Sequence, residues 1–169
     1  RQTTVDRAVS YVENAAAVNV ASPTLANADD RGENDLATLT ISAAGIVDGN
    51  AELITVGGYT FNAATSSTQT LTVGATSMSV AFDAATQRFT ITRAGGGVLP
   101  EADLDTLVRG ITYRHSSDAP TGGARTLSFQ LTDQSGHASP ITRSTITVTA
   151  VNDAPINSLP ASWTTNADT

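Results

Sequence analysis

Strict alternation of side-chain character most constrains this chain. In the stretch 125–133, Leu127, Phe129 and Leu131 fall on one face of an extended backbone, and Ser128, Gln130 and Thr132 fall on the other. A period of two belongs to a half-buried β-strand. The pattern recurs over 36–46, where Leu39 and Ile41 oppose Thr38, Thr40 and Ser42, and over 141–151, where Ile146, Val148 and Ala150 share a face. Shorter runs at 71–73, 78–82 and 89–92 follow it, and 52–61 is strand-like with a bend or bulge at Gly57 and Gly58. The runs 9–14 and 17–20 read as one first strand that is split. Turn signals separate the runs, at 45–50, at 133–136 and in a hairpin over 83–87. Many short strands punctuated in this way predict an all-β sandwich.

One segment breaks the period. Over 100–108, Pro100 stands at the start, Glu101 and Asp103 lie in the first turn, and Leu104, Leu107 and Val108 share a helical face. A short helix is expected there, as a connection between strands. Glu101, Asp103 and Asp105 are explained by the helix dipole and need no further role.

Composition removes several classes of function. Cysteine is absent, which excludes disulfides, zinc–thiolate sites and cysteine nucleophiles. Nine arginines and no lysine face sixteen acids, a formal charge of -7. That balance argues against nucleic acid, which needs a basic footprint, and against anionic membrane surfaces. No apolar run reaches the roughly 20 residues of a membrane span, and no signal peptide is visible. The abrupt ends at Arg1 and Thr169 suggest a piece of something longer. An acidic, cysteine-free chain suits divalent cations.

Two polar segments are candidate ligand sources. Residues 27–35 contain Asp29, Asp30, Glu33 and Asp35 around Gly32 and form the densest acidic loop. Val151-Asn152-Asp153-Ala154-Pro155 closes the last strand with two oxygen-bearing side chains and a proline that holds Ala154 extended. Such a segment reads as the end of one folded unit and the start of a stiff linker.

Four segments carry a family resemblance: Tyr11-Val12-Glu13-Asn14, Asn27-Ala28-Asp29-Asp30, the paired runs 111–113 and 125–133, and the linker 151–155. Across 9–155 the chain resembles one cadherin-like repeat of large bacterial RTX-type surface adhesins, which are related to chondroitin-sulfate-proteoglycan-type repeats. The resemblance implies a Greek-key β-sandwich of cadherin or immunoglobulin type over 9–153. It makes residues 1–8 a leader or the end of a preceding linker, and 154–169 a linker and the start of a next module. It implies Ca2+ at the joints between modules, with Glu13, Asp29, Asp133, Asn152 and Asp153 as ligands by position. Asn27 stands where the family pattern has an Asp, so that ligand is weaker or Asp30 substitutes for it. Five of these carboxylates, those of Glu13, Asp29, Asp30, Asp133 and Asp153, are expected to gather at one pole. Asp35, Glu33 and Asp118 are lesser candidates.

The implied role is non-enzymatic: a calcium-stabilised extender in a secreted, cell-surface adhesin that spaces distal ligand-binding domains from the cell. Its partners are neighbouring repeats of the same polypeptide, with a cell-surface or glycan ligand engaged through other domains. The isolated module is expected to be monomeric. The alternative is a ligand-binding or self-associating module, with Tyr59, Phe61 and the hairpin 83–87 as a recognition surface. The middle of the chain, 48–97, has no counterpart in the family pattern and is expected to be an elaboration. His115 and His137 have serines nearby but no G-x-S-x-G nucleophile elbow, and both are expected to face solvent. Trp163 lies beyond the linker and is expected to pack at a module junction or on the next module.

Overall fold

A computed structural model describes residues 2–3, 6–21, 26–27 and 35–153. It is an all-β sandwich with one α-helix. Two short strands, β1 (Gln2–Thr3) and β4 (Ala26–Asn27), pair antiparallel with each other. A seven-stranded sheet has the order β2-β13-β12-β5-β10-β9-β8, built from Arg7–Val12, Thr142–Thr149, Gly123–Asp133, Leu36–Ala44, Arg88–Arg93, Thr76–Asp83 and Ser67–Val73 respectively. A four-stranded sheet has the order β3-β11-β6-β7, from Val18–Asn19, Thr112–His115, Glu52–Val56 and Tyr59–Asn62. Helix α1 (Glu101–Arg109) links β10 to β11.

The predicted alternation holds. Leu127, Phe129 and Leu131 are buried on β12, and Leu39 and Ile41 on the neighbouring β5. Facing them, Ile54, Val56 and Tyr113 close the core from the second sheet. Aromatic rings fill its centre: Phe89 meets Phe61 edge-on at 5.2 Å and Phe82 at 4.4 Å. The split expected in the first strand and the bend expected at Gly57-Gly58 are both turns that separate distinct strands. Asn14, at φ 60, turns the chain between β2 and β3, which lie in different sheets. Gly57 and Gly58, both at positive φ, form the two-residue turn of the β6–β7 hairpin, where side chains with a Cβ would be strained.

The helix forms where expected, with Pro100 at its N-cap and Leu104, Leu107 and Val108 buried. Asp103 is more than a dipole partner. It accepts a hydrogen bond from Thr76 at 2.6 Å and lies against Gly74, so the helix docks on the β8–β9 turn.

The middle of the chain is built into both sheets. β9 and β10 extend the main sheet from β5, and β6 joins β7 to β11 in the second sheet. Phe61, Met78, Val80, Phe82, Phe89 and Ile91 from this stretch are buried in the shared core.

Strand direction sets up two poles. β2 runs parallel to β13, with Arg7 beside Ser144 and Val12 beside Thr149. The chain therefore passes from a lower pole at Arg7 to an upper pole at Thr149, roughly 25 Å along the eight residues of β13. β12 is antiparallel to β13. It starts at the upper pole with Gly123 and ends at the lower pole with Asp133.

Candidate functional site

Glu13 follows the last residue of β2 and keeps its strand parity with Val9 and Tyr11, which turns its carboxylate inward. It is 6% exposed. Its backbone N–H donates to Thr149 O at 3.0 Å, and its Oε2 accepts from the Val151 N–H at 2.7 Å. Its Oε1 is buried and has no hydrogen-bond partner. Asn152 and Asp153 follow immediately and are exposed. The structure thus brings Glu13 to the root of the 151–153 segment, leaving one buried carboxylate oxygen free where two further oxygen-bearing side chains begin.

The other expected ligands are placed differently. Asp133 lies at the lower pole, the full length of the sandwich from Asp153, because strands joined by a hairpin end at opposite poles. There it closes a turn: Oδ1 accepts the His137 N–H at 2.8 Å, and Oδ2 faces His137 Nδ1 at 3.2 Å. These bonds, the backbone one first, hold its carboxyl below the usual aspartate value. The expectation of one cluster therefore does not extend to Asp133. Asp29, Asp30 and Glu33 lie outside the described residues, as does Trp163. Asp35 is half-buried and its carbonyl accepts from Gln134 N at the lower pole, while Asp118 is exposed in the 116–122 loop.

A second set of polar residues, missed in the sequence, sits beneath the upper pole. Arg125 on β12 is 1% exposed, Glu52 on β6 is 0%, and His115 on β11 is 3%. His115 is therefore a core residue and not a solvent-facing one, whereas His137 is exposed as expected. Strand parity explains all three. Arg125 alternates with Leu127, Glu52 with Ile54, and His115 with Tyr113, so each points inward.

The cluster is closely bonded. Arg125 Nε and Nη2 donate to Glu52 Oε1 at 3.2 and 2.9 Å, and Nη2 also donates to Asp48 Oδ2 at 3.1 Å. Glu52 Oε1 further accepts the backbone N–H groups of Val47 and Asp48. Asp48 receives Thr121 N at 2.8 Å and Thr121 Oγ1 at 2.6 Å, which ties the 45–51 loop to the 116–122 loop. His115 Nδ1 accepts the Ser117 N–H at 3.2 Å. That leaves the proton on Nε2, which donates to Asp48 Oδ2 at 3.0 Å. Tyr11 spans the sheets, its hydroxyl donating to His115 O at 2.8 Å.

Burial and charge compete here. Burial pulls the Arg125 guanidinium down, but its bonds to Glu52 and the nearby charges outweigh that and hold it above its ordinary value. Burial likewise pushes the Asp48 carboxyl up. The Thr121 and His115 bonds prevail and keep it below the usual range. The Tyr113 hydroxyl is raised, by burial first and by the Glu52 carboxylate second. Its oxygen and Glu52 Oε2 are both buried without a partner.

Asp48, Glu52 and His115 each present one ligand atom, all within 4.8 Å of one another, a carboxylate–imidazole group that could hold a metal ion. In the geometry seen, Arg125 bonds both carboxylates and His115 Nε2 bears a proton. A metal would have to displace the first and strip the second. The bonds of the cluster join β6, β11 and β12 to the 45–51 and 116–122 loops, while the Asp48 side chain keeps partial exposure at 19%. Compared with known proteins, the chain matches no protein-family model, no curated protein and no solved structure.

Proposed function

We propose that this chain is a calcium-stabilised structural module that spaces other domains along an extracellular, cell-surface adhesin polypeptide, and that it has no catalytic role. The observation that carries the reading is the parallel pairing of β2 with β13. Chain arriving at Arg7 and chain leaving after Thr149 are held at opposite poles, so force along the polypeptide runs through two neighbouring strands. Parallel strands held in this way are loaded in shear, with their ladder hydrogen bonds strained together.

Calcium enters through Glu13. A carboxylate oxygen that is buried, ionisable and unpartnered is costly unless something pairs with it. A hard cation that takes six to eight oxygens is a suitable partner. Glu13 Oε1, Asn152 and Asp153 would supply part of the shell, with water and the following segment supplying the rest. Asp133 and the lower pole would face the preceding module and not this ion.

Extracellular calcium modules bind at roughly 10⁻⁴–10⁻³ M. At ten times the dissociation constant the native state gains about 1.4 kcal/mol by mass action. In a domain of this size that raises the melting temperature by about 3–6 °C. Scanning calorimetry in 10 mM calcium and in chelator tests this directly. Wild type should show the rise and Glu13→Gln should lose it. Equal melting temperatures for wild type in the two buffers would sink the calcium reading.

A further inference from the structure

We propose that the chain forms a symmetric dimer by antiparallel pairing of β8 with β8 of a second copy, joining the two seven-stranded sheets into one. The argument starts from the free edge of β8. Its partner β9 shares its other side with β10, and Ala94 N–H donates to Ser77 O across that boundary. Odd-numbered β9 residues therefore direct their backbone groups to β10, and even-numbered ones direct theirs to β8. The β8 residues opposite the latter, Ser67, Gln69, Leu71 and Val73, spend their N–H and C=O groups on β9. Those of Thr68, Thr70 and Thr72 point the other way. Among the described residues no strand pairs with that side of β8, and no backbone or side-chain hydrogen bond reaches these three residues from elsewhere. Their side chains are exposed as well.

Open edges are normally blunted by shortness, charge, proline or a bulge. The other edge strands show such features. β3 has two residues and β7 four, and β2 begins with Arg7 beside Asp6. β8 has seven residues, no charge and no proline, and its register with β9 is unbroken.

The occupant that fits is a second copy of the same strand. A two-fold axis through Thr70 sets Thr70 opposite Thr70 of the partner subunit. It sets Thr68 opposite Thr72 of the partner subunit, so each free N–H meets a free C=O. On the outer face, β-branched side chains then pair across the junction, which suits a pleated surface. Although each chain carries a net charge of -7, no like charges meet at the strand itself. Asp103 of α1 bonds Thr76 at the turn end of β8, and Leu107 of α1 and Leu71 of β8 both approach Gly57, but among the described residues no hydrogen bond occupies the edge at Thr68, Thr70 and Thr72. The pairing uses no group of the upper pole, so it is independent of calcium.

The test is sedimentation equilibrium of the 169-residue chain, from micromolar to millimolar, in calcium and in chelator. Wild type should move from 17.3 kDa toward twice that mass equally in both buffers. Thr70→Pro removes an N–H that β9 does not use, as edge positions allow, and should hold the chain monomeric at every concentration. Thr70→Lys sets like charges across the axis and should weaken association at least tenfold. Thr70→Val, which keeps the backbone intact, should dimerise as wild type does. Circular dichroism checks that each variant is folded. A wild type that stays monomeric at millimolar concentration overturns the proposal, and so does a folded Thr70→Pro that dimerises like wild type. If Thr70→Pro does not fold, Thr70→Lys against Thr70→Val decides alone.

Discussion

Arg125→Met is the sharpest test of how the upper pole is held. The guanidinium lies between two carboxylates, and Glu52 is fully buried. Removing one partner of a buried ion pair costs about 3–5 kcal/mol, because the other charge stays in a poorly solvating site. Glu52 Oε1 would keep the N–H groups of Val47 and Asp48, both at 3.1 Å. That places the expected loss near the lower bound, about 3 kcal/mol, or about 6–12 °C in melting temperature for a domain of this size. The companion variant Arg125→Met/Glu52→Gln removes the stranded charge but retains a side-chain oxygen for those two N–H groups. It should recover most of the loss and lie within about 1–2 kcal/mol of wild type. Urea unfolding of wild type, both single variants and the double variant completes the cycle. A loss under about 1 kcal/mol for Arg125→Met would refute the reasoning. Additive losses in the double variant would do the same, since they would show that Arg125 and Glu52 do not act as a pair.

Other consequences follow from the same geometry. Asp48, Asp83 and Asp133 all have folded-state values below the ordinary 3.8. The unfolded chain therefore binds their protons first as pH falls. Their stabilisation is fully present above about pH 5, and is lost as pH drops through 3.8 and then through the folded values. Asp48→Asn should flatten that acid limb in a melting-temperature series from pH 6 to pH 2. Gly45 and Gly58 share a left-handed backbone, but a Cβ on Gly45 would collide with Ala124 O, whereas one on Gly58 meets nothing within 4 Å. Gly58→Ala should cost about 1 kcal/mol, and Gly45→Ala at least about 2 kcal/mol more, because the obstacle is backbone. Phe89→Ala empties the centre of the aromatic cluster and should cost about 3–5 kcal/mol by chemical unfolding.

Much of the fold was legible because alternation is local. Leu127, Phe129 and Leu131 announce their own face, and Pro100 with Glu101 and Asp103 announces a helix start. The same parity, followed one step beyond the apolar residues, also reaches Arg125, Glu52 and His115. It was overlooked because a charged or imidazole side chain beside a loop reads as a surface residue. The partners that make burial tolerable come from β6, β11, β12 and the 45–51 loop, and their meeting is a property of topology. Glu52 and Arg125 are 73 residues apart, a separation that no local pattern spans. The position of Asp133 also follows from topology. A hairpin between β12 and β13 already requires their ends to lie at opposite poles, so grouping Asp133 with Asp153 conflicted with the turn read at 133–136. Glu13 was legible as a strand-end acid. That its Oε2 meets the Val151 N–H depends on the parallel pairing of β2 with β13, which connects strands from the two ends of the described chain.

Amide NMR during a calcium titration tests the central claim most directly, since it reports both binding and place. The account predicts saturable shifts at millimolar calcium or below, concentrated at Glu13 and at Val151, Asn152 and Asp153, with Asp133 and His137 unmoved. A spectrum that does not change would contradict it, as would shifts centred on Asp133 or on the Asp48, Glu52 and His115 cluster.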